Sequence, residues 1–307
     1  MTMSRMNKIW RLGAALGLMA VMASANAGLS ISTGPKGKGY SKQFADIAAV
    51  CGREVGVSEV VTTGGLDNLN AMSTNESDLG FASVDTVLSM KGGDENIAGL
   101  QVLMPLNYNY LHVITNVNGY VVKVPRMVMG VKMGTEDKVV AVRRFTDLRG
   151  KTVALVGSAQ LLGRKLNSQL GYGMQVVDAK DDAEAFAMVK SGRVSAAMSV
   201  AGWPSGPVNS LKDSDGLTLV PFDAPINEPY KVRSLNYKGI GVYNSPTLGV
   251  RNVLLTRPFR GAKANDVVAL RKCIADKLID LQEGSFSPSW KEVKSFDENV
   301  GLPVFKK

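Results

Sequence analysis

The chain has one histidine, His112, and two cysteines, Cys51 and Cys273, in 307 residues. A single histidine excludes metal sites and catalytic relays that need two, and any Ser/His/Asp unit would have to use His112. No G-x-S-x-G elbow accompanies it. Aromatic residues make up 7% of the chain and are not interleaved with the basic ones, and no block of five like charges occurs. Those absences speak against a nucleic-acid surface. Beyond the N-terminal segment there is no apolar run of about 18 residues, the length a membrane-spanning helix needs. His112 lies in an apolar, strand-like run with no cysteine or carboxylate at ligand spacing, which predicts packing in a core or cleft wall. No metal, cofactor or catalytic residue is expected.

The N-terminus carries an address. Arg5, Lys8 and Arg11 form a basic start, Leu12 to Met22 an apolar stretch, and Ala25-Asn26-Ala27 a small-residue cleavage site. This reads as a secretory signal over residues 1–27, cleaved after Ala27, and predicts a soluble periplasmic protein beginning at Gly28. Losing the three basic residues lowers the formal charge from +9 to +6. That excess suits an anionic ligand or surface nearby, or is simply a basic solvated surface. In an oxidising compartment the two cysteines suggest one disulfide, and the alternative is two buried free thiols. Each lies on a helical pattern, so a bond would join the first and last helices of the mature chain.

The stretch from Gly28 to Asp85 alternates strand, polar loop and helix. Leu29 to Thr33 is strand-like, and a glycine-rich loop precedes a helix bearing Phe44, Ile47, Ala48, Cys51 and Val55. Val57 to Thr62 and Asp78 to Ser83 are further strand runs. This is the pattern of a parallel sheet, in which ligands sit outside the carboxyl ends of the strands. Those ends are Ser32-Thr33-Gly34, Thr63-Gly64-Gly65 and Ser83, half of a pocket.

The pattern returns at Asp147. Lys151 to Val156, Met174 to Val177 and Val194 to Val200 read as strands, and Leu161 to Leu170 and Asp181 to Lys190 as helices. At an offset of 116, Ala71-Met72 falls on Ala187-Met188 and Ser83-Val84 on Ser199-Val200. Between the two copies, Leu100 to Pro105 and Leu111 to Thr115 are expected strands. Residues 116–146 read as a β-hairpin whose methionines, 127, 129 and 133, are expected to pack. After the second copy come a Gly202-Trp203-Pro204 loop and strands at Leu217–Pro221, Tyr230–Asn236, Gly239–Tyr243 and Val250–Thr256. Helices are expected over Asn265–Gln282 and Pro288–Val300.

Gly34 to Gly39 has phosphate-loop spacing, but Tyr40-Ser41 stands where Lys-Ser/Thr is required, so a nucleotide reading fails. The loop remains a tight turn or a backbone cradle for a small anion at a helix start.

Gly39-Tyr40, Thr63-Gly64-Gly65 with Asn68-Leu69, Glu76 to Phe81, Asp85 and Asp147-Leu148-Arg149-Gly150-Lys151-Thr152-Val153 follow one another in an order that resembles the TAXI group of TRAP-transporter solute-binding proteins. Tyr237 to Tyr243 and Val250 to Leu255 continue it, and the resemblance covers most of residues 29–283. It implies a two-lobed α/β fold of the type II periplasmic-binding-protein kind, each lobe a mostly parallel sheet flanked by helices. Lobe 1 would comprise 28–115 and 251–307 and lobe 2 would comprise 116–250, with hinges near 115 and 250. The implied protein is a monomer that closes on a small carboxylate-bearing solute and delivers it to a TRAP-type permease. Carried over, the cleft would include Thr33, Gly34, Tyr40, Thr63, Gly64, Gly65, Ser83 and Asp85 from lobe 1. Lobe 2 would add Ser158, Ala159 and Trp203. Asp85 is either a partner for a ligand ammonium or a helix N-cap. The sequence departs from the family at Ser41-Lys42, where a second tyrosine and a proline are usual, and at Gly157-Ser158-Ala159-Gln160, which replaces a proline-glycine-serine-glycine loop. The alternatives are a ligand-sensing protein feeding a membrane receptor and an enzyme on the same fold.

Overall fold

The computed structural model describes residues 28–306, and the expected signal segment lies outside them. The first element set is β1 (Leu29–Ser32), α1 (Gly39–Cys51), β2 (Val57–Val60), α2 (Gly65–Ser73), β3 (Leu79–Ser83), α3 (Val84–Met90) and α4 (Glu95–Ala98). Strand β4 (Gln101–Asn116) leads to β5 (Tyr120–Val128) and β6 (Val131–Val140). The second set is β7 (Thr152–Val156), α5 (Ala159–Leu170), β8 (Gln175–Ala179), α6 (Asp182–Lys190), β9 (Ala196–Ala201) and α7 (Gly206–Asn209). Then come β10 (Leu217–Leu219), β11 (Lys231–Tyr237), β12 (Val242–Thr256), α8 (Gly261–Asp276) and α9 (Leu278–Glu283).

The fold is the expected two-lobed α/β one, with a difference in how the lobes are joined. A single ten-stranded mixed sheet runs through both, in the order β2-β1-β3-β12-β4-β9-β7-β8, with β10 on β4 and β11 on β12. The β1–β2, β1–β3, β7–β8 and β7–β9 pairs are parallel, whereas β12 and β4 are antiparallel to each other and to their neighbours. Two short strands were expected at Leu100–Pro105 and Leu111–Thr115, but β4 runs through both as 16 residues. Pro105 does not stop it. A proline has no N–H to give the ladder, and the β4–β12 register slips opposite it, between Arg251 and Val253. The expected strands at Gly239–Tyr243 and Val250–Thr256 likewise become one 15-residue strand, β12, after a short 3-10 turn. Gly249 makes the close β12–β4 approach possible: a Cβ there would meet Arg233 at 2.9 Å and Tyr108 at 3.3 Å.

Three apolar clusters flank the sheet. One joins α2 and α3 to α5 and spans both lobes, with Val84, Val87, Leu162 and Tyr230 in it. A second packs α1 and α8 with Trp290, and a third packs α6 with Val208 and Tyr237. The apolar spacing read in α1 is realised, with Phe44, Ile47 and Cys51 buried. The expected last helix shrinks to a 3-10 turn, Pro288–Glu292, and the long helix over 265–282 breaks at Lys277. Trp290 is fully buried, and its indole N–H donates to Asp46 on α1 at 2.9 Å. The chain then returns to β4, where Val304 bridges Val102.

The packing expected of the hairpin methionines is overturned. The β5–β6 ribbon is a separate two-stranded sheet, and Met127, Met129 and Met133 are exposed. Two strands with no third layer leave no core for these side chains to enter.

Cys51 and Cys273 are bonded, with Cα atoms 5.9 Å apart and a sequence separation of 222. The bond ties α1 to α8 across one lobe. Closing so long a loop limits the unfolded chain. Replacing both cysteines by alanine is therefore expected to lower unfolding free energy by about 2–5 kcal/mol in urea titrations. Identical midpoints for the variant and the parent would show that the bond is not stabilising.

Candidate functional site

Strand directions place the candidate site. The parallel set β1–β3 ends at Ser32, Val60 and Ser83, and Ser83 lies level with Asn252 on β12. The set β7–β9 runs the opposite way, and its inner strand ends at Ala201, level with Tyr110 on β4. The carboxyl ends of both parallel sets therefore face each other across the middle of β4 and β12. Asn252 falls opposite Leu106 and Asn107 of β4, so three to four residues separate the two levels, roughly 10–13 Å of strand. Tyr110 is where pairing changes over, since it meets both Gly249 of β12 and Ala201 of β9.

On the first lobe, Asn68 organises the loop tips. Its side chain is fully buried, accepts from the Thr62 hydroxyl at 2.6 Å, and donates to the backbone oxygens of Thr33 and Phe81. Three strand ends are thereby held by one amide. Gly34, Gly64 and Tyr40 come together there, since a Cβ on Gly34 would lie 3.6 Å from the Gly64 Cα and 4.0 Å from the Tyr40 ring. Gly64 has φ of 141°, a conformation open to glycine, and Gly65 starts α2 against Ala82. The Thr33 hydroxyl donates to Glu59 at 2.8 Å. The Thr63 hydroxyl is bonded to Asp67, and both residues line an outer groove on α2.

The floor between the two sets of strand ends is polar, and sequence reasoning missed most of it. The Tyr40 O–H donates to Asn252 at 2.9 Å and accepts from Asn109 at 3.4 Å, while its ring stacks on Phe81. The Asn107 side-chain Oδ1 accepts from Gln43 at 3.2 Å and from Asn252 at 3.4 Å. Burial raises the Tyr40 pKa well above the ordinary phenol range, so the hydroxyl stays protonated and able to donate. A signal for this floor was present: Asn107-Tyr108-Asn109-Tyr110 interrupts an otherwise apolar run, and buried amides need partners.

Asp85 is not the cap of α3. Ser83 occupies that position, and Asp85 lies in the first turn, buried. Its carboxylate accepts from the Ser83 hydroxyl, from the Thr86 N–H at 2.9 Å and from the Tyr230 O–H at 3.1 Å. Tyr230 lies 145 residues away in sequence, on the segment leading into β11. Burial, reinforced by the Asp85 charge, raises the Tyr230 pKa and keeps the phenol a donor.

On the second lobe, Ser158 is exposed and precedes α5 without a side-chain cap, and Ala159 is buried at its first turn. The starts of α1, α2 and α3 also lack side-chain caps, whereas Asp94 and Asp181 cap α4 and α6. Trp203 is 39% exposed, and its indole N–H donates to the Asn236 carbonyl at 3.2 Å. Its loop is anchored from below. The Tyr237 hydroxyl accepts from the Ser205 N–H at 2.9 Å and meets His112 Nε2 at 2.7 Å. His112 is thus a core residue that supports the loop after β9.

A cavity of about 390 Å³ lies at the junction of β4 and β12, lined by Val84, Leu88, Tyr108, Lys231, Arg251 and Val300 among others. None of the eleven residues expected from the sequence lines it. The Arg251 guanidinium stacks over Tyr108 at 4.1 Å, donates to the Leu106 carbonyl at 2.7 Å and pairs with Glu298.

Residues 31–299 match the NMT1-like family. The chain belongs to that family. Solved structures similar to it include the substrate-binding protein of an amino acid ABC transporter, at 12% identity and TM-score 0.47 over 86% of this chain and 96% of that one. An arginine periplasmic binding protein from Legionella pneumophila is 15% identical, with TM-score 0.45 over 87% and 99%. A histidine kinase sensor domain with similarity to periplasmic binding proteins is 12% identical, with TM-score 0.48 over 83% and 92%.

Burial lowers the His112 pKa from 6.5 to about 4. Between those values the unfolded chain takes up a proton that the folded chain refuses. Stability should therefore fall as pH drops from about 6.5 and level off near 4, a loss of about 3 kcal/mol from this group. His112→Gln should flatten that part of the stability–pH curve in urea titrations. An unchanged slope would assign the effect to other groups.

Proposed function

We propose that this family member is an extracytoplasmic solute-binding protein. It captures a small carboxylate-bearing solute between its lobes by hinge closure and delivers it to a TRAP-type permease, as the TAXI resemblance implies. The observation that carries the reading is the facing of two sets of carboxyl strand ends across β4 and β12. In open α/β sheets that is where ligands bind, and here two such edges share one space. In this reading residues 1–27 direct export, residues 28–115 with 251–307 form one lobe, and residues 116–250 form the other. The lobes turn on the crossover strands β4 and β12, near residues 115 and 250. A solute touching both lobes favours the closed state.

The chemistry suits an anion with hydrogen-bonding groups. The starts of α1, α2 and α5 carry no side-chain caps and place backbone N–H groups at positive dipole ends. The amide and phenol groups of the floor supply further donors and acceptors. Asp85 would pair with the ammonium of an amino acid, its Tyr230 contact exchanging for the ligand. His112 is engaged with Tyr237 inside the core, so the reading is one of binding without turnover.

Calorimetry and thermal shift on protein beginning at Gly28, with amino acids, carboxylates, phosphate and sulfonates, provide the test. Saturable stabilisation by a carboxylate-bearing solute without product is expected, and product formation or no response to any carboxylate would overturn the reading. Asp85→Ala should weaken an amino-acid ligand by more than about tenfold, because it removes a buried charge partner. Leu88→Trp, which fills the junction cavity, should leave affinity unchanged; a lost affinity would move the solute to the cavity against Arg251.

A further inference from the structure

The β5–β6 ribbon carries seven of the fifteen large apolar side chains exposed among the described residues. Five crowd its tip: Met127, Val128, Met129, Val131 and Met133, with Met129 wholly exposed. The chain reverses over two residues, Met129 and Gly130, with φ of 50° and 80°, while Val128 pairs with Val131. Such a turn needs a left-handed conformation at both central positions, where asparagine, aspartate or glycine is the usual choice. Methionine at the first of them is a poor choice for turning the chain and leaves a long apolar side chain in water.

The pairing register shows how the apolar groups are distributed. Val128 and Val131 are cross-strand partners on one face, and Met127 lies on the other, opposite Lys132. Met133, two residues beyond Val131, returns to the first face. Apolar groups thus surround the tip instead of covering one side of it. A flat protein partner would cover one face of the ribbon and leave the apolar groups of the other face in water. A medium that is apolar in every direction suits the tip better.

The charges agree. From Pro125 to Gly134 the charged residues are Arg126 and Lys132, with no acidic residue between them. Glu136 and Asp137 come later, and Asp137 faces Lys123 at 3.7 Å. Nine residues of strand carry the tip about 30 Å from the base of the ribbon. Long basic side chains beside an apolar insert match the headgroup layer of an anionic membrane.

We propose that the ribbon tip docks on an anionic lipid bilayer, inserting Met129 and its neighbours into the surface with Arg126 and Lys132 against the headgroups. The occupant is lipid, and the site is separate from the cleft between the lobes.

Vesicle co-sedimentation of protein beginning at Gly28, which carries every element of the fold, provides the test. At low salt the protein should sediment with phosphatidylglycerol-containing vesicles, stay in solution with phosphatidylcholine vesicles, and be released at about 0.5 M salt. Met129→Asp with Val131→Asp should reduce the bound fraction by on the order of tenfold or more without changing the thermal midpoint, because both side chains are exposed. Arg126→Glu with Lys132→Glu should do the same. No sedimentation with anionic vesicles at low salt would overturn the proposal, as would equal sedimentation of the variants. Binding to native membranes but not to protein-free vesicles would assign the tip to a membrane protein and likewise overturn it.

Discussion

The antiparallel pairing of β4 with β12 is the constraint on which the rest of the structure depends. These strands are long enough to serve two parallel sets at once, and each set adds to a different end of the pair. Because β3 and β9 both pair antiparallel to a crossover strand, the two sets are forced to point at each other. The facing loops follow from strand direction alone. The same pairing explains Gly249, whose missing side chain lets Tyr108, Tyr110 and Arg233 crowd the changeover.

Where the sheet passes from one lobe to the other, polar residues of its middle, Asn107 and Asn252, are buried and need partners. Polar side chains answer that need. Asn107, Asn109 and Asn252 with Tyr40 and Gln43 satisfy one another on the crossover, and Asn68 does the same for three strand ends. Such buried networks hold geometry because each lost partner would strand another group away from water. At the chain's end the disulfide, the Trp290–Asp46 bond and the Val304 bridge draw the C-terminal segment back to α1 and β4. That return packs the C-terminal helices beside the first helix.

The β5–β6 ribbon shows where local pattern misleads. Alternating valines and methionines read as a strand pair and form one, yet the same alternation said nothing of a covering layer. Expected packing became exposure, because apolar residues in a strand are buried only when a second layer arrives to bury them. The junction cavity is a similar case. Val84 and Val300 lie 216 positions apart, and no spacing in the sequence joins them to Arg251.

What the sequence determined by itself was whatever depends on near neighbours and repetition. The βαβ periodicity of Leu29 to Ser83 and its return after Asp147 specified two α/β lobes, the missing lysine after Gly39 removed a phosphate loop, and the apolar face of α1 was legible from Phe44, Ile47 and Cys51. The partnership of Cys51 with Cys273 was readable only as one of two alternatives until the helices met. Tertiary structure decided the rest: that Pro105 lies within a continuous strand, that Asp85 meets Tyr230, that His112 supports the Trp203 loop through Tyr237, and that three asparagines and a tyrosine share one floor. Each of these joins residues brought side by side by strand order, and strand order is set by the summed pairing of a whole sheet. No local window contains that sum.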